Sequence, residues 1–250
     1  MSRNFELLQQ ASKLHEISPT NDGQPIPLID ASGSSVPVLE TTGMARDELT
    51  KLVNRLFLIP GTDAPRTVIF TGTESGNGCT WLCARSGELL AAQVRGSVCL
   101  LDCNPRSPGL HRQFGLQNHH GLSEALSQDG NIRQYLQPLS RPNFWLLSCG
   151  SRADNGQALL ASDRMAMRLR ELRDEFDYVI ADAGPLDAGT GGIVLGSLAD
   201  GVVLVLKANS SRRDTARKAM EEFQGAKVPI LGIVLNRRTF PIPHAIYKHL

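Results

Sequence analysis

Nowhere in this 250-residue chain does an apolar run approach the roughly 20 residues that a membrane-spanning helix needs. Its first residues, MSRNFELLQQ, lack the apolar core of a secretory signal, so a cytoplasmic location is the expectation. An excess of one charge is also missing. With 26 basic and 25 acidic residues the formal net charge is +1, which removes the electrostatic case for nucleic acid or an anionic membrane. The pairs Arg212-Arg213 and Arg237-Arg238 then read as solvated surface. Cysteines are few and odd in number (Cys79, Cys83, Cys99, Cys103, Cys149), which fits reduced, mostly buried thiols better than a disulfide framework. At this length one large α/β domain can build a sufficient core without such staples.

What is there is organised around residues 66 to 85, RTVIFTGTESGNGCTWLCAR. A β-branched and aromatic run over 67 to 70 predicts a buried strand. A loop with Gly76 and Gly78 follows, and helix-compatible sequence opens near Cys79 and Thr80. Strand, glycine loop and helix in that order are the context of a phosphate-binding P-loop, in which backbone N–H groups and the helix N-terminus face an anion. Laid on G-x-x-x-x-G-K-[ST], the segment keeps Gly78 and the hydroxyl of Thr80, but has Thr73 for the first glycine and Cys79 for the lysine. A hydrogen bond to a charged group is worth roughly 1.5–3 kcal/mol, about ten- to a hundredfold in affinity. Phosphoryl transfer suffers more, because one lost preorganised donor costs on the order of a hundred- to a thousandfold in rate.

Cys79 has two readings at this stage: an inert helix-start residue, or a thiol whose pKa the helix N-terminus lowers. Cys79, Cys83 and Cys103 form a conceivable metal or redox trio without C-x-x-C spacing. His111, His119 and His120 are expected in a surface loop. His244 and His249 lie in a short terminal segment that either docks or frays.

Along the rest of the chain, residues 5 to 17 suit a short amphipathic helix and residues 19 to 40 a flexible linker, so residues 1 to 43 form an appendage and 44 to 250 the domain. Helix periodicity covers 46 to 58. Strands are predicted at 98 to 101, 143 to 148, 177 to 182, 201 to 206 and 228 to 235. Short helices are expected at 121 to 127 and 132 to 137, a long one at 156 to 176 with charged residues outward, and another at 213 to 223. Continuous apolar strands alternating with helices imply an α/β fold with a mainly parallel sheet covered on both faces. Ligands bind at the strand C-termini of such sheets, and the glycine loop, Asp102 and Asp182 all fall there.

With these residues in place, positions 46 to 236 resemble the cytoplasmic domain of bacterial tyrosine kinases, the polysaccharide-export branch of the deviant P-loop ATPases related to MinD and ParA. LLDCNPRSP matches the second family motif, D-x-D-x-R-x-P, at Asp102, Arg106 and Pro108, with Asn104 in place of an aspartate. VIADAGP matches the third, D-x-P-P, at Asp182 and Pro185, with Gly184 departing. GLHRQFGL, GLSEAL, ALLASDRM and GIVLNRR are further landmarks. Glu74 stands where the spatial-positioning branch carries a signature lysine, which suits the kinase branch.

The resemblance implies a P-loop NTPase-like fold and a site for ATP or ADP with Mg²⁺, weakened or absent here. Gly76, Asn77, Gly78, Cys79, Thr80, Trp81, Arg106 and Asn236 would hold the nucleotide, Asn236 near the adenine. Thr80, Asp102 and Asp182 would hold the metal, and Asp102 and Asp182 would be the catalytic carboxylates. It implies a partner, the cytoplasmic segment of a membrane polysaccharide co-polymerase or chain-length regulator, with recruitment to the inner membrane, and a homo-oligomer. The ring-forming motif Glu-x-x-Arg-x-x-Arg has only Glu48, Lys51 and Asn54 as spaced counterparts. The terminal tyrosine cluster is reduced to Tyr247. Two expectations follow: an impaired kinase-like regulator or scaffold, or an active kinase or ATPase in which Arg106 or Arg85 replaces the lysine.

Overall fold

The structure, a computed structural model, describes residues 28–29, 35–36, 43–59, 61, 64–151 and 156–237. The helix expected at 5 to 17, Tyr247, His244 and His249 lie outside them. Within the expected linker, Leu28–Ile29 and Ser35–Val36 form a two-residue antiparallel pair.

A seven-stranded sheet forms the domain. Its strands are β1 (Thr67–Gly72), β2 (Val98–Cys103), β3 (Leu136–Pro138), β4 (Phe144–Leu147), β5 (Tyr178–Ala183), β6 (Gly201–Lys207) and β7 (Ile230–Asn236), in the spatial order β3-β4-β2-β5-β1-β6-β7. All pairings are parallel except β3 with β4 at one edge. The central strands are apolar throughout because both faces are covered, and alternate residues enter two different cores. Ile69, Leu101, Val179, Ala181 and Leu204 face one cluster with α4 (Leu122–Ser127), α5 (Gly156–Leu160), α6 (Asp163–Glu175), α7 (Gly191–Leu198) and α8 (Arg213–Gly225). Val68, Phe70, Leu100, Ile180 and Val203 face the other with α1 (Gly43–Val53), α2 (Cys79–Gln93) and α3 (Leu110–Gln113). The period-two side-chain alternation of a strand thus builds both layers from one sheet.

Several boundaries differ from the sequence expectation. The helix expected at 156 to 176 is two helices: Ser162 breaks it, its hydroxyl donating to Leu159 O (2.6 Å) and accepting from Met165 N (3.3 Å) as the N-cap of α6. Not all charge on α6 points outward. The buried Arg168 guanidinium donates to the Ala125, Gln128 and Gly130 carbonyls, satisfying the end of α4, and pairs with Glu171. The element at 132 to 137 is a 3₁₀ turn (Ile132–Tyr135) that runs into strand β3. The first helix of the domain starts at Gly43 and ends in a π turn, Asn54–Leu58. A 3₁₀ turn, Leu186–Ala188, and α7 lie where the sequence predicts no element; over α7 the run GTGGIVLG has the composition of a loop.

Candidate functional site

The carboxyl ends of β1, β2, β5, β6 and β7 meet around the loop of residues 73 to 78. Gly76 (φ +81°) and Gly78 (φ +82°) adopt left-handed backbone, which is why glycine stands at both positions. The loop is braced from three strands. The buried Asn77 side chain donates to Val205 O of β6 (2.9 Å) and to Thr73 Oγ1 (3.0 Å), and Asn236 at the end of β7 donates to Asn77 O (2.8 Å). Thr71 donates to Gly184 O beyond β5 (3.0 Å), and Asp187 N donates to Thr73 O (3.3 Å). A β-carbon on Gly78 would collide with Asn236 Nδ2. Asn236 therefore packs on the loop itself, and Asn77 spends its amide on scaffolding.

From this loop α2 departs with Cys79, Thr80 and Trp81 as its first residues, Trp81 packing on the second core. Asp102 and Asp182 are register partners on β2 and β5, both almost fully buried. Asp102 accepts from Asn104 N (3.1 Å), Gly109 N (2.9 Å) and Leu110 N (3.0 Å), and so folds the following loop over the strand end. Burial raises its pKa and these N–H groups oppose the rise. Among the described residues neither oxygen of Asp182 has a hydrogen-bond partner. The Thr80 hydroxyl and Cys79 thiol lie close enough to favour its charged form, without reaching hydrogen-bond geometry. Burial first, then the Asp102 charge, push Asp182 up to about 7.

The same surroundings decide between the two readings of Cys79. It is half-buried, and burial, the Asp182 carboxylate and Cys83 push its thiol well above the ordinary range. Burial and the neighbouring carboxylate outweigh the helix N-terminus and favour the thiol form of Cys79. Cys83 and Cys103, both buried, are raised for the same reason. Among the described residues no group of three or more histidine, cysteine or acidic side chains is arranged to hold a metal ion. His111 is half-buried on α3, while His119 and His120 are exposed.

The departures in the second and third family motifs, Asn104 and Gly184, are neighbours. A β-carbon on Gly184 would lie 3.1 Å from Asn104 Oδ1, which also accepts from Ser107 N (3.3 Å). Of the arginines proposed to replace the lysine, Arg85 is committed elsewhere: it pairs with Glu88 (2.5 Å), donates to Gln113 O and stacks on Phe114. Arg106 is exposed, with Nη2 3.5 Å from Gln157 Oε1. Glu48 and Lys51 pair with each other on the outer face of α1.

A parallel sheet with a glycine loop at its centre, a helix opening from that loop, and two carboxylates on adjacent strand ends define a P-loop ATPase-like domain. The same fold is seen in the kinase domain of Escherichia coli tyrosine kinase ETK, with a TM-score of 0.70, 22% identity, and coverage of 92% of this chain and 89% of that one. The chain belongs to the bacterial tyrosine-protein kinase family: it is 30% identical over 171 residues to tyrosine-protein kinase YwqD of Bacillus subtilis, covering 68% of this chain and 72% of that one. It is 26% identical over 169 residues to tyrosine-protein kinase wzc of Salmonella typhi, a match that spans only 23% of that longer protein. No family model matches the chain. Among the described residues no helix is long and apolar enough to cross a membrane.

Proposed function

We propose that this protein is a catalytically impaired member of the kinase family, binding ATP or ADP weakly or not at all, and acting as a cytoplasmic regulator or scaffold in exopolysaccharide biosynthesis and export. One observation carries the reading: a cysteine thiol stands where the family's lysine would be, beside a buried carboxylate that has no partner among the described residues. In an active loop an ammonium at residue 79 would follow the transferred phosphate. Here the loop keeps Gly76, Gly78 and its backbone N–H groups, but that charge is gone.

The retained groups fit a nucleotide and a divalent cation in outline. The orphaned oxygens of Asp182 and the adjacent Thr80 hydroxyl are hard donors suited to Mg²⁺, with Asp102 on the next strand. Bound Mg²⁺ would supply charge neutralisation for phosphate oxygens. Gly76, Asn77, Gly78, Cys79, Thr80 and Trp81 would line the phosphates, with Asn236 toward the base and Arg106 at the rim. Residues 44 to 250 would form the kinase-like domain, and residues 1 to 43 an appendage available to a partner. That partner is taken to be the cytoplasmic segment of a membrane polysaccharide co-polymerase, which would also account for recruitment to the inner membrane.

The test is calorimetric titration with ATP, ADP and Mg²⁺ beside Cys79→Lys, with phosphate release and tyrosine phosphorylation followed on the same samples. The variant is expected to bind about ten- to a hundredfold more tightly than the native protein. Turnover by the native protein at the rate of an active kinase would overturn the reading.

A further inference from the structure

Cys79 leaves the loop without a cation at that position, and the structure brings another up to the loop from the end of β7. Arg237 follows directly on β7. Its backbone is left-handed (φ +55°), an uncommon state for a residue with a β-carbon, and its N–H donates to Asn236 Oδ1 (2.8 Å). The Asn236 amide in turn donates to Asn77 O of the loop, and Asn236 O accepts from Ala208 N (2.8 Å). These bonds fix the point from which the Arg237 side chain departs. Its Nε lies 3.9 Å from where a β-carbon on Gly78 would sit. Among the described residues no ion pair or hydrogen bond engages the guanidinium. Expected as solvated surface, it is an exposed cation laid against the loop glycine that precedes Cys79.

We propose that Arg237 is the cationic phosphate ligand of this loop, reaching from the end of β7 the di- or triphosphate of a nucleotide that residue 79 no longer holds. The proposal rests on the reading that the loop binds nucleotide weakly, and it adds the residue on which that binding depends. A second observation points to a ligand at the loop: among the described residues the buried Asp182 carboxylate across the helix start has no partner for either oxygen. A guanidinium suits the task because its planar donor set matches phosphate oxygens and its charge does not titrate. Because it approaches from the Asn236 side, it would bind the phosphates without occupying the lysine's position, which is compatible with binding and no transfer.

The experiment is calorimetric titration of the full chain with ADP, ATP and adenosine in the presence of Mg²⁺, comparing native protein, Arg237→Gln and Arg237→Lys. Arg237→Gln is expected to weaken ADP and ATP binding by about ten- to a hundredfold while leaving adenosine binding unchanged, and Arg237→Lys to retain more affinity than Arg237→Gln. Melting curves of the variants should overlay the native curve, because the side chain is exposed. The proposal is overturned by native-like ATP affinity in Arg237→Gln, by an equal loss for adenosine and ATP, or by absence of any nucleotide binding in the native protein. Phosphate release on the same samples judges the other claim separately: turnover by the native protein would end the reading of an impaired enzyme and leave Arg237 to be decided by the affinities.

Discussion

Asp102 and Asp182 face each other from adjacent strands at the same depth, yet they have opposite tasks. The chain after Asp102 turns back at once, so Asn104, Gly109 and Leu110 point three N–H groups at its oxygens. The chain after Asp182 runs through Gly184 into Pro185, which has no N–H, and leaves. Identical side chains on matched strand ends therefore become a structural acceptor and an unsatisfied charge. What separates them is the path of the next few residues.

The contrast can be broken at either end. The largest effect is expected for Asp102→Ala, which strands the N–H groups it now satisfies. The domain should lose about 2–4 kcal/mol in urea denaturation, with Asp102→Asn milder because it keeps one acceptor. Asp182→Asn should act in the opposite direction. A carboxyl raised from 3.8 to about 7 binds more protons folded than unfolded between those values, so stability falls as pH rises through that window. Removing the charge should therefore stabilise the protein by about 1–3 kcal/mol above pH 7, a gain that shrinks as pH is lowered toward 3.8. Loss of stability at alkaline pH in this variant would show that Asp182 has a partner after all. The smallest effect belongs to Thr80→Val. Deleting a hydroxyl that favours the charged form should move the Asp182 carboxyl further up, seen by carbon NMR titration, and cost a few tenths of a kcal/mol in stability.

Much of the fold was legible because burial on both faces makes a strand an uninterrupted apolar run. β1, β2, β5 and β6 could thus be placed to within two or three residues from composition alone. Apolar periodicity runs on through Ser162 and so joins α5 to α6 in the sequence, and only the geometry of the Ser162 hydroxyl shows a cap rather than an interior residue. α7 was hidden by its glycines. Gly192 and Gly196 are there because larger residues would strike Thr71 and Val202, a packing reason that no local pattern reveals. At the site the placement of the glycine loop, Asp102 and Asp182 at strand ends was legible. The division of labour between Asp102 and Asp182 was not, since it depends on backbone groups seven and eight residues away from Asp102. Nor was Arg237, whose approach to Gly78 spans most of the domain's sequence.

The central position of β1 has a consequence for how the protein is made. Thr67 pairs with Val179 on one side and Val68 with Gly201 on the other, so the strand that carries the glycine loop has no neighbour close in sequence. Closing such distant pairings is the slow part of folding a parallel sheet. A nascent chain would carry residues 67 to 78 out of the ribosome long before either flanking strand exists. The loop would take shape only when β5 and β6 had emerged, and its last brace only with Asn236. The glycine-loop end of the sheet is then among the last parts of the domain to acquire its form, and a chain halted before β6 would have α1 to α7 but neither the Val205 nor the Asn236 contact that braces the loop.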